Sequence, residues 1–314
     1  MLGPSGAGKS TLLAVIAGLE RATRGTVAWQ GETWDGAGSF VPPERRSIGY
    51  VFQDFALFPH LTVAQNIAFG LGLRRVPRTS AMQRVEELMR RMRLDGLGAH
   101  YPHQISGGQK QRVAVARALA VNPRLLLFDE SLSSLDAKLR EELRLELREL
   151  LQGLRLTALF VTHDPTEAML LASRIFVLRA GRLQASGTPQ DLYAAPPSRE
   201  VAETLGPAWF WPVSIRPAGR GDTLLQIGEA QLVLPLDAPP APGSYRMMLR
   251  PSSAFLAPDG IPAQVTRSVY VGGAFQVELR LPFGGAIEVR CAAAPGAETA
   301  LALDPARLHF LPAD

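Results

Sequence analysis

Two groups of residues in this 314-residue chain have the types and spacing to handle a phosphate and a metal ion. Gly3-Pro4-Ser5-Gly6-Ala7-Gly8-Lys9-Ser10 fits the pattern G-x-x-x-x-G-K-[ST] and runs through Thr11 into a helical pattern that ends at Leu19. Glycines at this spacing let successive backbone N–H groups curl around a phosphate, and the helix behind them adds the positive end of its dipole. Lys9 would reach the β and γ oxygens of a nucleotide, and Ser10 can ligate Mg2+. The second group is Asp129-Glu130, which ends an apolar run at 125–128. A strand there puts both acids at the carboxyl edge of a sheet, where open α/β sheets bind ligands. Asp129 would hold the magnesium through water, and Glu130 would polarise an attacking water. An apolar strand ending in two acids says little alone; with a phosphate loop upstream it becomes the other half of a nucleotide site.

A third group separates this chain from other phosphate-loop enzymes. Gln104-Ile105-Ser106-Gly107-Gly108-Gln109-Lys110-Gln111-Arg112 stands before a helical run at 113–121, and Ser106 lies 23 positions ahead of Asp129. A Ser-Gly-Gly turn opening a helix is another anion-binding N-terminus, or simply a capped helix start. Here the sequence resembles the ATP-binding cassette (ABC) ATPases, whose signature reads L-S-G-G-Q, with Ile105 in place of Leu. The resemblance implies that Ser106, Gly107, Gly108 and Gln109 close over the γ-phosphate held by the loop of a second subunit. It also assigns Gln53 as the Q-loop glutamine, a metal and water ligand that senses a membrane partner. Ser134-Leu135-Asp136 matches the D-loop, with Asp136 crossing the dimer interface, and His163 matches the switch histidine that contacts the γ-phosphate.

Finer resemblance narrows the class. Gln53-Asp54-Phe55-Ala56-Leu57-Phe58-Pro59-His60-Leu61-Thr62-Val63 and the run from Asp129 to Arg140 are similar to importer ATPases for polyamines, ferric iron, sulfate or phosphonates. Ser131 stands where those proteins usually carry Pro after the catalytic Glu. Leu249-Arg250-Pro251 and residues 263–273 are similar to the transport-associated OB-like domain appended to the same ATPases. The resemblance implies a subunit that dimerises around two ATP·Mg2+, as a homodimer or a paired cassette. It implies a peripheral place on the cytoplasmic face of the inner membrane, against integral permease subunits, with a periplasmic or extracellular solute-binding protein as an indirect partner. Phe55, Leu57, Phe58 and Pro59 are expected to be exposed near the groove for the permease. A soluble ABC protein without a membrane partner is the rival. It is disfavoured because 52 residues separate Gln53 from Ser106, too few for a long coiled-coil insertion, and one cassette is present.

The elements that must carry these residues follow from periodicity. Short apolar runs at 48–52, 125–128, 158–161 and 175–178 read as buried strands alternating with helical patterns, an α/β layer on a largely parallel sheet. Val85, Leu88, Met89 and Met92 fall at i, i+3, i+4 and i+7 of a helix over 82–94, and leucines at 139, 143, 147, 150 and 151 mark another over 137–152. Beyond residue 205 the composition shifts: 14 of the 25 prolines lie in 207–314. Strand-like runs recur there at 223–227, 231–236, 245–250, 263–271, 275–281 and 286–291, which predicts a small antiparallel barrel or sandwich. The expected division is an ABC cassette of mixed, largely parallel sheet at 1–205, with a helical subdomain at about 72–122, and an all-β OB-like domain at 206–314.

Composition excludes several classes. The chain is 46% hydrophobic and 20% charged, with no apolar run of the 18 or more residues that a membrane-spanning helix needs. A single cysteine, Cys291, excludes an intrachain disulfide and a cysteine-built zinc site. Lys plus Arg is 33 against 29 acids, and only three are lysines, with no block of like charge, so nucleic acid is not an expected partner. The apolar run after Lys9 lacks the small-residue cleavage site of a secretion signal. A phosphate loop joins a strand to a helix, yet only Met1 and Leu2 precede Gly3. The expectation is therefore a working protein with about 25 to 40 further residues upstream, enough for two strands and their turns. They would supply the feeding strand and the aromatic residue that in the ABC family stacks on adenine. Without them, a damaged, inactive cassette becomes the alternative.

Overall fold

The computed structural model describes residues 1–131, 137–154, 156–219 and 222–313, with the side chains of 137–140 and 142–143 outside that description. Two compact units divide the chain, Met1–Pro189 and Gln190–Asp314.

In the first unit, helix α1 (Lys9–Ala17) leaves the glycine loop and is followed by a small antiparallel sheet of β1 (Val27–Trp29), β2 (Glu32–Gly36) and β3 (Ser39–Phe40). Then come β4 (Ile48–Val51), helices α2 (Val63–Leu73), α3 (Arg78–Arg91) and α4 (Gly107–Ala120), β5 (Leu125–Asp129), α5 (Ala137–Leu154), β6 (Thr157–Val161), α6 (Pro165–Leu171), β7 (Ile175–Arg179) and β8 (Arg182–Gly187). Strands β4, β5 and β6 run parallel in that order, with Val51 opposite Phe128 and Asp129 opposite Val161. Leu125 to Phe128 are all buried, the continuous apolar pattern of a parallel strand covered on both faces. Leu2 bridges in parallel to Thr162 and to Val177 and is fully buried. Met1 and Leu2 are thus seated between the end of β6 and β7.

Local chemistry explains where the helices start and stop. Thr62 and Gln65 form a reciprocal capping box at α2, and Asp164 caps α6 with Pro165 at its first position. The buried Arg46 closes α1 from outside, donating through Nη1 to Val15 O at 2.7 Å and Ile16 O at 2.8 Å, carbonyls of the last turn that have no i+4 amide within the helix. On α3, the expected face is the buried one: Val85, Leu88 and Met92 join Ile67, Leu71, Val113 and Leu119 in one core. Trp34 of β2 packs with Leu13, Ala17, Leu125 and Leu127. Between this small sheet and the parallel one lies an open cleft of about 700 Å³, lined by Met1, Trp29, Trp34, Leu159 and Phe160 among others.

The second unit begins with two short helices, α7 (Pro189–Ala194) and α8 (Arg199–Thr204). Among the described residues nine strands follow: β9 (Trp209–Gly219), β10 (Asp222–Ile227), β11 (Ala230–Leu234), β12 (Gly243–Leu249), β13 (Ala254–Tyr270), β14 (Phe275–Arg280), β15 (Ala286–Cys291), β16 (Glu298–Leu303) and β17 (His309–Pro312). They form two antiparallel sheets, β11-β10-β9-β12-β17 and β15-β14-β13-β16, which share one core built around Trp211, Met247, Leu249, Val277, Leu279 and Leu301. The period-2 rule is visible on β14, where Val277 and Leu279 are buried while Glu278 and Arg280 are exposed. The compositional boundary at 205/206 falls inside this unit. Arg250 is one tie across it: its Nη1 donates to Ala202 O, Gly206 O and Pro207 O at 3.0 to 3.1 Å, holding α8 and the following turn to the β body.

Candidate functional site

The site grows out of the turn between Leu2 and α1. Gly3 passes so close to β7 that a Cβ there would lie 2.1 Å from Leu178 O, which only glycine avoids. Gly8 precedes α1 with φ 88°, a left-handed conformation, and no side chain caps the helix. The first turn of α1 is therefore an N-terminus whose backbone donors face outward from a loop, the arrangement that takes an anion. Lys9 is almost fully buried, and its Nζ donates to Gly3 O at 2.9 Å and Pro4 O at 3.0 Å, curling back along the loop.

The parallel register brings the acids to this loop. Ser10 Oγ donates to Asp129 Oδ1 at 2.9 Å, and Lys9 Nζ stands 3.7 Å from Glu130 Oε1. His163, on the turn after β6, places Nδ1 3.1 Å from Glu130 Oε2. Glu130 has φ 43°, in the left-handed region that a non-glycine residue seldom adopts, so the backbone leaves β5 on a sharp bend at this carboxylate. One cation, one hydroxyl, two carboxylates and one imidazole thus converge at the carboxyl edge of β5 and β6. Tyr50, on β4, completes the ring: its hydroxyl donates to Asp129 Oδ2 at 3.1 Å. Burial, and after it the Asp129 carboxylate, push its phenol above the ordinary range, so it remains a donor.

The remaining expected residues stand differently. Val51 lies opposite Phe128, so Gln53 leaves the sheet at the same edge as Asp129 and Glu130, on an exposed turn. Ser106 to Gln109 open α4 in a capping box: Ser106 Oγ accepts from Gln109 N at 3.3 Å and Gln109 Oε1 accepts from Ser106 N at 2.8 Å. Asp136, with Ser134 and Leu135, lies outside the described residues. Of the four residues expected at an exposed groove, Phe55 is corrected. It takes a left-handed φ of 64° and turns into the core with Val63 and Ile67, where its carbonyl accepts from Arg117. Leu57 is half-buried against that core, Phe58 is half-buried against Phe69 with ring centroids 4.3 Å apart, and Pro59 is exposed.

The geometry fits a nucleoside polyphosphate with a divalent cation. Among the described residues, no group of three or more His, Cys, Asp or Glu is placed to hold a metal by itself. A lone carboxylate beside a hydroxyl suits a Mg2+ that takes its other ligands from phosphate and water. Sequence reasoning missed Tyr50 as a site residue, placing it only within a buried strand. The available signal was its position on that strand, three residues before Gln53 and on the run that pairs with the one ending in Asp129.

Comparison with known proteins adds a separate line. The ABC transporter family model matches residues 1–133, and the TOBE domain model matches residues 247–311. The sulfate/thiosulfate import ATP-binding protein of Thermosynechococcus vestitus is 42% identical over 288 residues, covering 90% of this chain and 79% of that protein. The Fe(3+) ions import ATP-binding protein of Brucella abortus is 39% identical over 288 residues, covering 90% and 80%. The spermidine/putrescine import ATP-binding protein of Methylococcus capsulatus is 49% identical over 206 residues, 66% of this chain and 57% of that protein. Among solved structures, cbiO1 from Clostridium perfringens, part of the ABC transporter complex cbiONQ, aligns with a TM-score of 0.56 at 31% identity, over 64% of this chain and 79% of its own. The dimeric post-hydrolysis ATP-binding cassette MJ0796 bound to ADP and Pi aligns with a TM-score of 0.53 at 34% identity, over 60% and 83%.

Proposed function

The chain belongs to the ABC transporter family of import ATP-binding proteins, and from that premise we infer that it is the ATP-hydrolysing subunit of an importer, driving solute uptake through a separate membrane permease. The observation that carries the reading is the convergence of Lys9, Ser10, Asp129, Glu130 and His163 on one sheet edge beside the uncapped start of α1. The glycine loop and α1 bind the phosphates of ATP, with Lys9 leaving the Gly3 and Pro4 carbonyls to reach the β and γ oxygens. A Mg2+ held by Ser10, Gln53 and Asp129 would supply charge neutralisation between the β and γ phosphates. Glu130 orients and polarises the attacking water, and His163, bonded to Glu130, holds that carboxylate and contacts the γ-phosphate. Two copies, or this chain and a paired cassette, meet head to tail so that Ser106 to Gln109 of one close on the phosphates of the other. The dimeric form of MJ0796 supports that arrangement. A peripheral place on the cytoplasmic face of the membrane is supported by the likeness to import ATP-binding proteins; among the described residues no helix is long and apolar enough to cross a membrane. The binding protein that selects the solute is reached only through the permease.

The test is turnover. Purified protein is expected to release phosphate from ATP only when a divalent cation is present. Glu130→Gln should keep nucleotide binding while its steady-state rate falls about 10²-fold or more, the scale of a lost general base. Normal turnover by this variant would remove Glu130 from the role.

A further inference from the structure

We propose that Tyr50 is a positioning residue for the divalent cation, its hydroxyl fixing the plane of the Asp129 carboxylate that receives the metal. This rests on the reading of the site as an ATP·Mg2+ site. The torsion that turns a carboxylate about its last carbon–carbon bond is soft, with broad minima. One hydrogen bond leaves the group hinged, whereas two bonds on different oxygens fix it. Asp129 has that second bond: Ser10 Oγ donates to Oδ1 at 2.9 Å and Tyr50 Oη donates to Oδ2 at 3.1 Å. The two donors come from separate elements, the start of α1 and the middle of β4, so the carboxylate spans the gap between loop and sheet.

Tyr50 is itself held. The parallel register sets it opposite Leu127, two residues before Asp129, and its ring lies against Phe52 with centroids 4.2 Å apart. The hydroxyl is therefore delivered by a half-buried residue of a strand paired in register with β5, not by a loose surface rotamer. Ser10 must turn an oxygen lone pair to the cation while its proton still points at Asp129. During that exchange, Tyr50 keeps the other oxygen in place. A phenylalanine here would fill the same space against Phe52 and leave Asp129 with one tether.

The experiment measures ATP affinity by calorimetry on the full chain carrying Glu130→Gln, so that hydrolysis does not intervene, once in excess Mg2+ and once in EDTA. Adding Tyr50→Phe is expected to weaken binding about 10- to 100-fold in Mg2+, the value of one hydrogen bond to a charged group, and to leave the EDTA value unchanged. Tyr50→Leu, which also loses the ring, should match Tyr50→Phe in the Mg2+ series. If Tyr50→Phe binds as the parent does in Mg2+, the proposal is overturned, whatever Tyr50→Leu does. An equal loss in EDTA overturns it too, because the residue would then support the phosphate loop and not the cation. A parent that binds no ATP in either buffer would overturn the functional reading and this inference together.

Discussion

Lys9 illustrates how little of a functional side chain is free at this site. Its ammonium is almost fully buried, bonded to Gly3 O and Pro4 O and close to Glu130, so its charge is held in the loop before any phosphate arrives. Lys9→Ala removes the cation from beside the γ oxygens and leaves Glu130 facing the phosphate charge. ATP affinity is expected to fall about tenfold or more, since a charge-assisted bond is worth roughly 1.5–3 kcal/mol; unchanged affinity by calorimetry would count against the assigned role. Residues like this one were legible because the pattern itself is the mechanism: the glycines, Lys9 and Ser10 are adjacent in sequence. Asp129 and Glu130 were legible through the apolar run that delivers them. Tyr50 was not, because its partnership with Asp129 spans 79 positions and arises only when β4 pairs with β5. Phe55 was misplaced for a similar reason. Its side chain turns inward through a left-handed backbone that no periodicity announces.

At the scale of elements, the turn after Gln53 is held in part by a buried amide. Asn66 on α2 accepts from Phe58 N through Oδ1 at 2.9 Å and donates through Nδ2 to Phe58 O, Leu61 O and Thr62 O at 3.0 to 3.1 Å. Asn66→Ala is expected to cost about 2–3 kcal/mol, as several buried backbone groups lose their partner. Asn66→Asp should be worse than Ala despite its size, because its second oxygen would face three carbonyl oxygens; urea midpoints rank the two. A second element-scale device sits at α6. Burial pushes the Asp164 carboxyl up, but Arg144 and the N–H groups of Thr166 and Glu167 outweigh it and hold the group below its ordinary value. A depressed folded-state value means the contribution is present at neutral pH and is lost as pH falls below about 3.9, the unfolded value, through the folded one. Asp164→Asn keeps a cap acceptor and removes the charge. The stability gap between wild type and this variant should therefore be widest near neutrality and close in acid; a gap that widens on acidification would refute the assignment. The parallel strands were readable as apolar runs and α3 as an amphipathic stripe, but only β5 is buried along its apolar length, while β4 is half-buried and β6 borders the open cleft. Strands β1 to β3 escaped notice because they are two to five residues long, and only β2 carries a buried pair, Trp34-Asp35, to mark it.

At the scale of the whole molecule, composition and packing place the division differently, and the physics of one arginine separates them. Proline content and strand spacing change near 205, which marks where helices stop. The β body, however, holds residues upstream of that point. Arg250 is buried, donates to the carbonyls of Ala202, Gly206 and Pro207, reaches Tyr193 O at 3.3 Å, and stacks 4.2 Å over the Tyr193 ring. Sequence periodicity carries no trace of a guanidinium meeting carbonyls some 40 positions away, so the boundary could not be read from it. A fragment comprising 190–314 keeps every one of these acceptors, whereas 206–314 loses Tyr193 and Ala202 and begins at the third. Both retain the shared core of Trp211, Met247, Val277 and Leu301, so the comparison isolates the arginine and the two short helices. The longer fragment is expected to unfold cooperatively. The shorter one, in which Arg250 loses two of its four carbonyl acceptors, should be less stable by roughly 1–3 kcal/mol. Arg250→Met made in the shorter fragment should recover part of that difference, since it removes the charge that has lost acceptors. Equal thermal midpoints for 190–314 and 206–314 would return the boundary to 205/206.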